Sequence, residues 1–244
     1  MAVDQHTGTH SDADDRGREA IDPAPLACLA AGVTNDCHLS RFESAFAPLV
    51  ASWIATPQEL TWLAPATPWP PTPEKVDAWG RDRADRYLLV DGQSRCPVAY
   101  AELNDMSANS RRMWIGHFIV DPRQRGRAWG ARFAQALLSH AFIAEAAAKV
   151  LLVVFPENRR AIRCYQRAGM LVTGSERKYF ESTGRAHQFL RMEIRPARFR
   201  RLVSDGVYSG RPTPLLPLPS SVDRPAHFPR AATQTGESVK GRRP

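Results

Sequence analysis

Apolar residues recur along this chain in two rhythms, and the switch between them sketches a fold. Residues 87–90, 97–103 and 112–120 are short runs rich in β-branched and aromatic side chains. Asp91-Gly92 and the small polar stretch 107–110 separate them, which predicts three strands in a close antiparallel meander. The period then becomes helical: Trp129, Phe133, Ala136, Leu137, His140, Ala141 and Ala144 mark one face of a helix running to about residue 148. His140 on that face reads as a packed core residue rather than a ligand. A strand over 150–155, a helix over 160–167 and strands over 170–179 and 187–194 complete the series, with Gly169 suited to the C-terminal cap of the second helix. Upstream, Phe42, Phe46, Leu49, Val50 and Trp53 fall at helical spacing within 40–53, as a lid over a sheet would. Pro57-Gln58-Glu59-Leu60 opens another short helix, the Pro-rich stretch 65–73 reads as an extended connector, and 74–79 is helical again.

Composition adds bounds to this sketch. A chain of 244 residues, 43% hydrophobic, can bury one sizeable core and still leave tails. Residues 1–38 lack sustained periodicity and 197–244 gather Pro212, Pro214, Pro217 and Pro219 before a basic end, Lys240 to Arg243, so both are expected to be disordered tails around a domain over 39–196. The balance of 33 Lys+Arg against 25 Asp+Glu gives +8, which favours an anionic ligand. Nucleic acid is the competing explanation, but no RNA-binding or zinc-finger signature accompanies the charge. The four cysteines, Cys28, Cys37, Cys96 and Cys164, lack the paired spacing of a zinc site and are too sparse for a disulfide scaffold, so no metal is expected and reduced thiols in the cytoplasm are the simple reading. The apolar stretch 26–33 is too short to span a bilayer, and acidic residues outnumber basic ones where a secretory signal would be cationic.

Two basic clusters carry the candidate chemistry. The run Val120-Asp121-Pro122-Arg123-Gln124-Arg125-Gly126-Arg127-Ala128-Trp129-Gly130 joins the strand ending Phe118-Ile119-Val120 to the long helix. A strand, a short loop with glycine and cations, then a helix start exposes backbone N–H groups to an anion, and phosphate is the natural guest. Downstream, Asn158-Arg159-Arg160-Ala161-Ile162-Arg163-Cys164-Tyr165-Gln166-Arg167-Ala168-Gly169 follows the strand 150–155 in the same way.

The order of elements and both clusters resemble the GNAT superfamily of N-acetyltransferases over roughly residues 39–196. Its acyl-CoA signature is Arg or Gln, two residues, Gly, one residue, then Gly or Ala. Arg125 to Gly130 matches it with Ala128 in place of the first glycine; a register from Arg123, through Gly126 to Ala128, also satisfies it. In the first register the substitution is expected to be tolerable, since helical φ/ψ suits alanine and the peptide N–H is kept. The second family feature is reproduced by Asn158, Ala161, Tyr165 and Gly169.

The resemblance implies an α/β fold with a mixed, mostly antiparallel central sheet of about seven strands flanked by helices, the middle strands splayed to admit acetyl-CoA as co-substrate. It implies transfer of acetyl to a primary amine, by direct attack in a ternary complex, the acceptor being a small molecule or a peptide. Phe118, Ile119 and Val120 would lie along the pantetheine, and the amides of Arg125, Gly126, Arg127, Ala128, Trp129 and Gly130 would hold the pyrophosphate, with the Arg125 and Arg127 side chains nearby. Asn158 and Ala161 would meet the pantetheine, Asn158 serving equally well as a helix N-cap. Arg159 and Arg160 sit unfavourably at a helix N-terminus unless an anion is close, which suggests contact with a CoA phosphate. Tyr165, with a reference pKa of about 10, is the candidate acid for the leaving thiolate, and a buried aromatic is its bland alternative. Glu102, charged in a strand interior, is the candidate base, or else a partner for a cation. His117 has a suitable reference pKa, but strand alternation turns it away from the thioester. A catalytically degenerate CoA-binding module and a basic nucleic-acid-binding protein are the alternatives. No membrane partner is implied, and a homodimer is compatible with all of this.

Overall fold

The computed structural model describes residues 37–80, 84–106, 111–208 and Leu215. The stretches read as tails over 1–36, 209–214 and 216–244, and the turn 107–110, lie outside the described residues.

Seven strands form one sheet in the order β1-β2-β3-β4-β5-β7-β6. They are β1 (Cys37–Arg41), β2 (Ala84–Asp91), β3 (Pro97–Asp105), β4 (Arg112–Val120), β5 (Lys149–Val154), β6 (Leu171–Phe180) and β7 (Arg185–Ile194). β1 to β4 pair antiparallel, as do β5 with β7 and β7 with β6; only β4 and β5 run parallel. The expected meander and the mixed, mostly antiparallel sheet are therefore what the chain adopts. Strand β2 has no polar face because both of its sides are covered: Tyr87 and Leu89 join one core, Leu88 and Val90 the other.

Three short helices, α1 (Ala47–Ser52), α2 (Pro57–Leu63) and α3 (Pro73–Ala78), supply the second of those cores through Val50, Leu60 and Val76. Thr56 and Thr72 cap α2 and α3, each accepting from a backbone N–H three residues on, with Pro at the first helical position. On the other face α4 (Trp129–Ser139) buries Phe133, Leu137 and Leu138. It gives way to a π-helical turn over His140–Ala144, so the helix stops short of the expected end near 148. His140 is packed as anticipated, its Nε2 2.8 Å from the Tyr87 hydroxyl. Helix α5 (Arg159–Arg167) ends at Gly169, φ +82°, where the N–H groups of Gly169 and Met170 return to the carbonyls of Gln166 and Tyr165.

Two elements depart from the expected boundaries. β1 begins at Cys37, inside the stretch assigned to a tail, and occupies 40–41 where a helical pattern was expected to start. Five residues with one strong hydrophobe carry no readable alternation; pairing with β2 makes them a strand. Beyond 196, α6 (Pro196–Ser204) extends the domain, because Phe199 is fully buried between Phe142 and Tyr208. Its three arginines disguise that single anchor as a polar tail. Leu215 makes a parallel bridge with Leu39. Among the described residues no helix is long and apolar enough to cross a membrane.

Candidate active site

The sheet opens where β4 meets β5. Only Arg112, Met113 and Trp114 pair with β5, opposite Lys149, Val150 and Leu151; past them β4 keeps its pairing with β3 while β5 pairs with β7. The two strands diverge, leaving the β4 edge from Ile115 onward without a strand partner on that side. A bulge accompanies the divergence. Tyr100 pairs with Ile119 but Glu102 pairs with Gly116, so β4 carries one residue more than β3 across this interval. His117, within it, has φ +43°. The extra residue reverses the alternation: Met113 and Ile115 face one core, and after the bulge Phe118 and Val120 face that same core while Ile119 joins the other.

The divergence forms a cleft of about 920 Å³ lined by β4 from Trp114 to Val120, the loop into α4, one face of α5 and the ends of α2 and β6. At its base the chain turns sharply. The Asp121 carboxylate accepts from the Arg123 N–H and pairs with the Arg123 guanidinium at 2.8 Å. Gly126, φ +83°, and Ala128, φ +62°, then reverse the backbone before α4 begins at Trp129. Arg125, Gly126, Ala128, Trp129, Gly130 and Ala131 all line the cleft, and the first-turn N–H groups of α4 have no helical acceptors.

The two registers differ in which arginine they place at the cleft. Arg125 lines the cleft, whereas Arg123 is turned back onto Asp121, so the spacing Arg125, Ala128, Gly130 is the one that faces the opening. The conformation expected for Ala128 is corrected: it is left-handed rather than helical, at a cost of about 1–2 kcal/mol for a residue with a Cβ. Arg127 is placed beside Gln124. Its guanidinium donates to Gln124 Oε1 at 3.3 Å, its side chain is exposed, and it does not line the cleft. Gly130 serves packing: a Cβ there would stand 2.9 Å from Cys164 Sγ, so its absence lets α4 and α5 approach. Burial pushes the Cys164 thiol up to about 12, which leaves it inert.

From α5, Asn158, Arg160, Ala161, Arg163, Cys164, Tyr165 and Arg167 line the cleft, while Arg159 is exposed elsewhere. Asn158 is the N-cap, its Oδ1 accepting from Ala161 N–H at 3.2 Å, and it borders the cleft as well. Tyr165 is buried, edge-on to Phe118 at 5.4 Å, and burial holds its phenol well above the usual tyrosine range. The hydroxyl therefore keeps its proton at any working pH.

Glu102 does not reach the opening. It is 2% exposed, receives the Tyr100 hydroxyl at 3.0 Å and lies 2.8 Å from His117 Nδ1, an ionic contact out of line with the ring N–H. Burial raises its pKa, but His117, Tyr100 and Asn104 outweigh that and hold the carboxyl below the usual range. His117 borders the cleft in its place and stacks on Trp79 at 4.5 Å, nearly parallel.

Several lining residues left no signal in the sequence. Glu59, at the start of α2, accepts from Ala55 N–H at 2.9 Å and pairs with Arg125 across 66 residues of chain. Trp62, Leu63, Pro65, Trp114, Lys178, Phe180 and Phe189 complete the wall. The Lys178 ammonium sits over the Trp114 ring at 4.6 Å, and the Ser182 hydroxyl, at the β6–β7 turn, donates to the Ala66 carbonyl beyond α2.

Comparison with known proteins agrees with this architecture. Over residues 54–170 the chain matches the model of the acetyltransferase (GNAT) family. It is 31% identical over 75 residues to a spermine/spermidine N(1)-acetyltransferase of Bacillus subtilis, a match covering 31% of this chain and 49% of that protein. The chain thus spans about half the length of the curated relatives it matches. A spermidine N-acetyltransferase from Vibrio cholerae, solved with CoA and spermine, superposes with a TM-score of 0.58 at 16% identity, covering 68% of this chain and 99% of that one. An aminoglycoside acetyltransferase solved with coenzyme A and kanamycin gives 0.54 at 18% identity, covering 68% and 98%. At such identities these two speak for the fold. The family match, with the seven-stranded sheet and its splayed β4 and β5, identifies residues 54–170 as an acetyltransferase (GNAT) family domain.

Proposed function

We propose that the protein transfers the acetyl group of acetyl-CoA to a primary amine by direct attack in a ternary complex. The observation that carries this reading is the parting of β4 from β5 above the first turn of α4. A strand edge free of its neighbour offers N–H and C=O groups to the amides of a pantetheine arm, as another strand would. The N-terminal amides of α4, with Arg125, Arg160 and Arg163 on the same walls, suit a diphosphate and a further phosphate. Coenzyme A in the two structural neighbours supports the choice of anion.

Bound acetyl-CoA would supply an activated acyl thioester; the remaining chemistry belongs to this chain. Phe118, Ile119 and Val120 would position the thioester, and a β4 N–H would polarise its carbonyl. Tyr165, buried and protonated, would donate to the departing sulfur. Asn158 and Ala161 at the start of α5 would border the pantetheine.

The acceptor end is aromatic, with Trp62, Trp114, Phe180 and Phe189. Glu59 is the one carboxylate among the described lining residues, and Arg125 already engages it. A monoamine with an apolar body suits this wall better than the polycations that two of the neighbours hold. We place the activity in the cytoplasm, a setting supported by the free thiols of Cys96 and Cys164.

Calorimetry with acetyl-CoA, followed by thiol release with a panel of amines, tests the reading in two steps. Binding and amine-dependent release of free CoA are expected, with aryl- and alkylamines ahead of spermine. Binding without release from any amine would leave only a CoA-binding module, and no binding would overturn the assignment.

A further inference from the structure

We propose that His117 is the general base that takes the proton from the acceptor ammonium, and that Glu102 is a positioning residue acting through it. The inference rests on the acetyl-transfer reading above and assigns the proton that the reaction must remove. An amine attacks only as the free base, so one N–H proton of the acceptor has to move to a group within reach of the thioester.

The cleft wall near the bulge offers few candidates. Glu102 is sealed beneath β4, and its carboxylate is already engaged by Tyr100, Asn104 and His117. His117 lines the cleft, and its ring is held from two sides. Nδ1 lies 2.8 Å from Glu102 Oε2, and the ring face lies against Trp79 at 4.5 Å with an interplanar angle of 4°. With Nδ1 buried against the carboxylate, Nε2 is the nitrogen left to accept a proton.

The backbone gives an independent reason. Strict alternation would set residue 117 on the face of Met113 and Ile115, in the core beneath α4. The extra residue in β4 and the left-handed φ of +43° at His117 bring its ring to Glu102 and Trp79 instead. A β-carbon at positive φ is strained, and strain of this kind persists where surrounding structure enforces a functional geometry. The other groups facing the site are the hydroxyl of Tyr100, the amide of Asn104 and the Arg86–Asp77 pair behind Trp79, where Arg86 Nη1 donates to the Asp77 and Trp79 carbonyls. Arg86 and Asp77 offset one another, so Glu102 is the charge that governs the ring.

The step balances without a further reactant. His117 Nε2 takes one proton from the acceptor ammonium, and the free amine forms its bond to the acetyl carbon; as the C–S bond breaks the thiolate takes the Tyr165 proton, and the acetylated nitrogen gives up its second proton to restore the Tyr165 hydroxyl. The imidazolium is then stabilised by Glu102 until solvent removes its proton.

The test is the pH dependence of kcat/KM with a good amine acceptor for the wild type, His117→Gln, His117→Ala and Glu102→Gln. Acetyl-CoA affinity by calorimetry and Tm report folding of each. His117→Gln is expected to lose about 100-fold or more in kcat/KM and to lose the acid limb that the histidine contributes, with acetyl-CoA binding kept. Added imidazole should restore part of the activity of His117→Ala. Glu102→Gln should retain the limb but lower kcat with acetyl-CoA affinity unchanged, because the ring is no longer fixed by the carboxylate. His117→Gln within about threefold of wild type, with the limb in place, would overturn the proposal while the acetyl-transfer reading stands. Loss of activity in His117→Gln accompanied by loss of acetyl-CoA binding, with imidazole failing to rescue His117→Ala, would also overturn it, since that is what a purely structural histidine predicts. A wild type that binds no acetyl-CoA overturns both.

Discussion

Replacing Gly130 with alanine probes the joint on which the site depends. A Cβ at this position would stand 2.9 Å from Cys164 Sγ, with Val120 Cγ2 at 3.6 Å and Phe118 Cε1 at 3.9 Å behind it. Heavy atoms of this size rest at about 3.5–4.0 Å, so α4 or α5 must yield by roughly half an ångström or Cys164 must leave its rotamer. Overpacking of this kind costs about 1–3 kcal/mol, and the better helix propensity of alanine returns up to about 1 kcal/mol. The net expectation is a loss of about 1–2 kcal/mol. In a domain of this size that lowers Tm by about 2–4 °C for each kcal/mol. Because the displaced turn carries the N–H groups at the base of the cleft, acetyl-CoA affinity should fall with it. Cys164→Ala removes the opposing sulfur, so the double variant should recover most of the lost stability, with a coupling energy of about 1 kcal/mol or more in a double-mutant cycle read by denaturant unfolding. Strictly additive effects, or a Gly130→Ala protein as stable as wild type, would refute the claim that this contact sets the spacing of the two helices.

The turn before α4 yields a pair of opposite signs. Ala128→Gly relieves about 1–2 kcal/mol of left-handed strain against about 0.4–1 kcal/mol of added chain entropy, a net gain near 1 kcal/mol by denaturant unfolding. Gly126→Ala, with open space around it but φ +83°, should lose about as much. Tyr165→Phe keeps the edge contact with Phe118 but removes the hydroxyl, so kcat should fall by about 100-fold or more while calorimetry shows acetyl-CoA affinity unchanged; full turnover would end the acid role. The folded Glu102 carboxyl lies below its ordinary value of 4.5, so its stabilisation is whole above that pH and is lost as pH falls through the depressed value. Glu102→Gln should therefore flatten the acid side of the stability curve below the ordinary carboxyl value of 4.5, and an unchanged curve would show the carboxylate to be unpaired.

Local patterning carried a large share of this protein. The runs that became β3, β4 and β5 and the helical faces of α4 and α5 were legible, because burial on one or two sides imposes periods of two and 3.6 wherever the element is long enough to repeat them. The two strand-to-helix junctions were equally legible: glycines, cations and an N-cap asparagine are short-range chemistry, and Arg125, Gly130, Asn158, Ala161 and Tyr165 do line the cleft. Elements with one anchor, β1 and α6, were not, since Leu39 and Phe199 find their partners only in distant segments.

The tertiary structure alone decided what the site can do. One extra residue in β4 shifts the alternation, carrying His117 to Glu102 and Trp79 and leaving Glu102 sealed behind it. Whether Ala128 is helical or left-handed depends on how the loop meets α4, and the bridge from Glu59 to Arg125 depends on two elements 66 residues apart meeting at all. Periodicity reports which face of an element is buried. Register between strands and the approach of distant side chains are fixed by packing of the whole, and those are the quantities on which proton transfer depends.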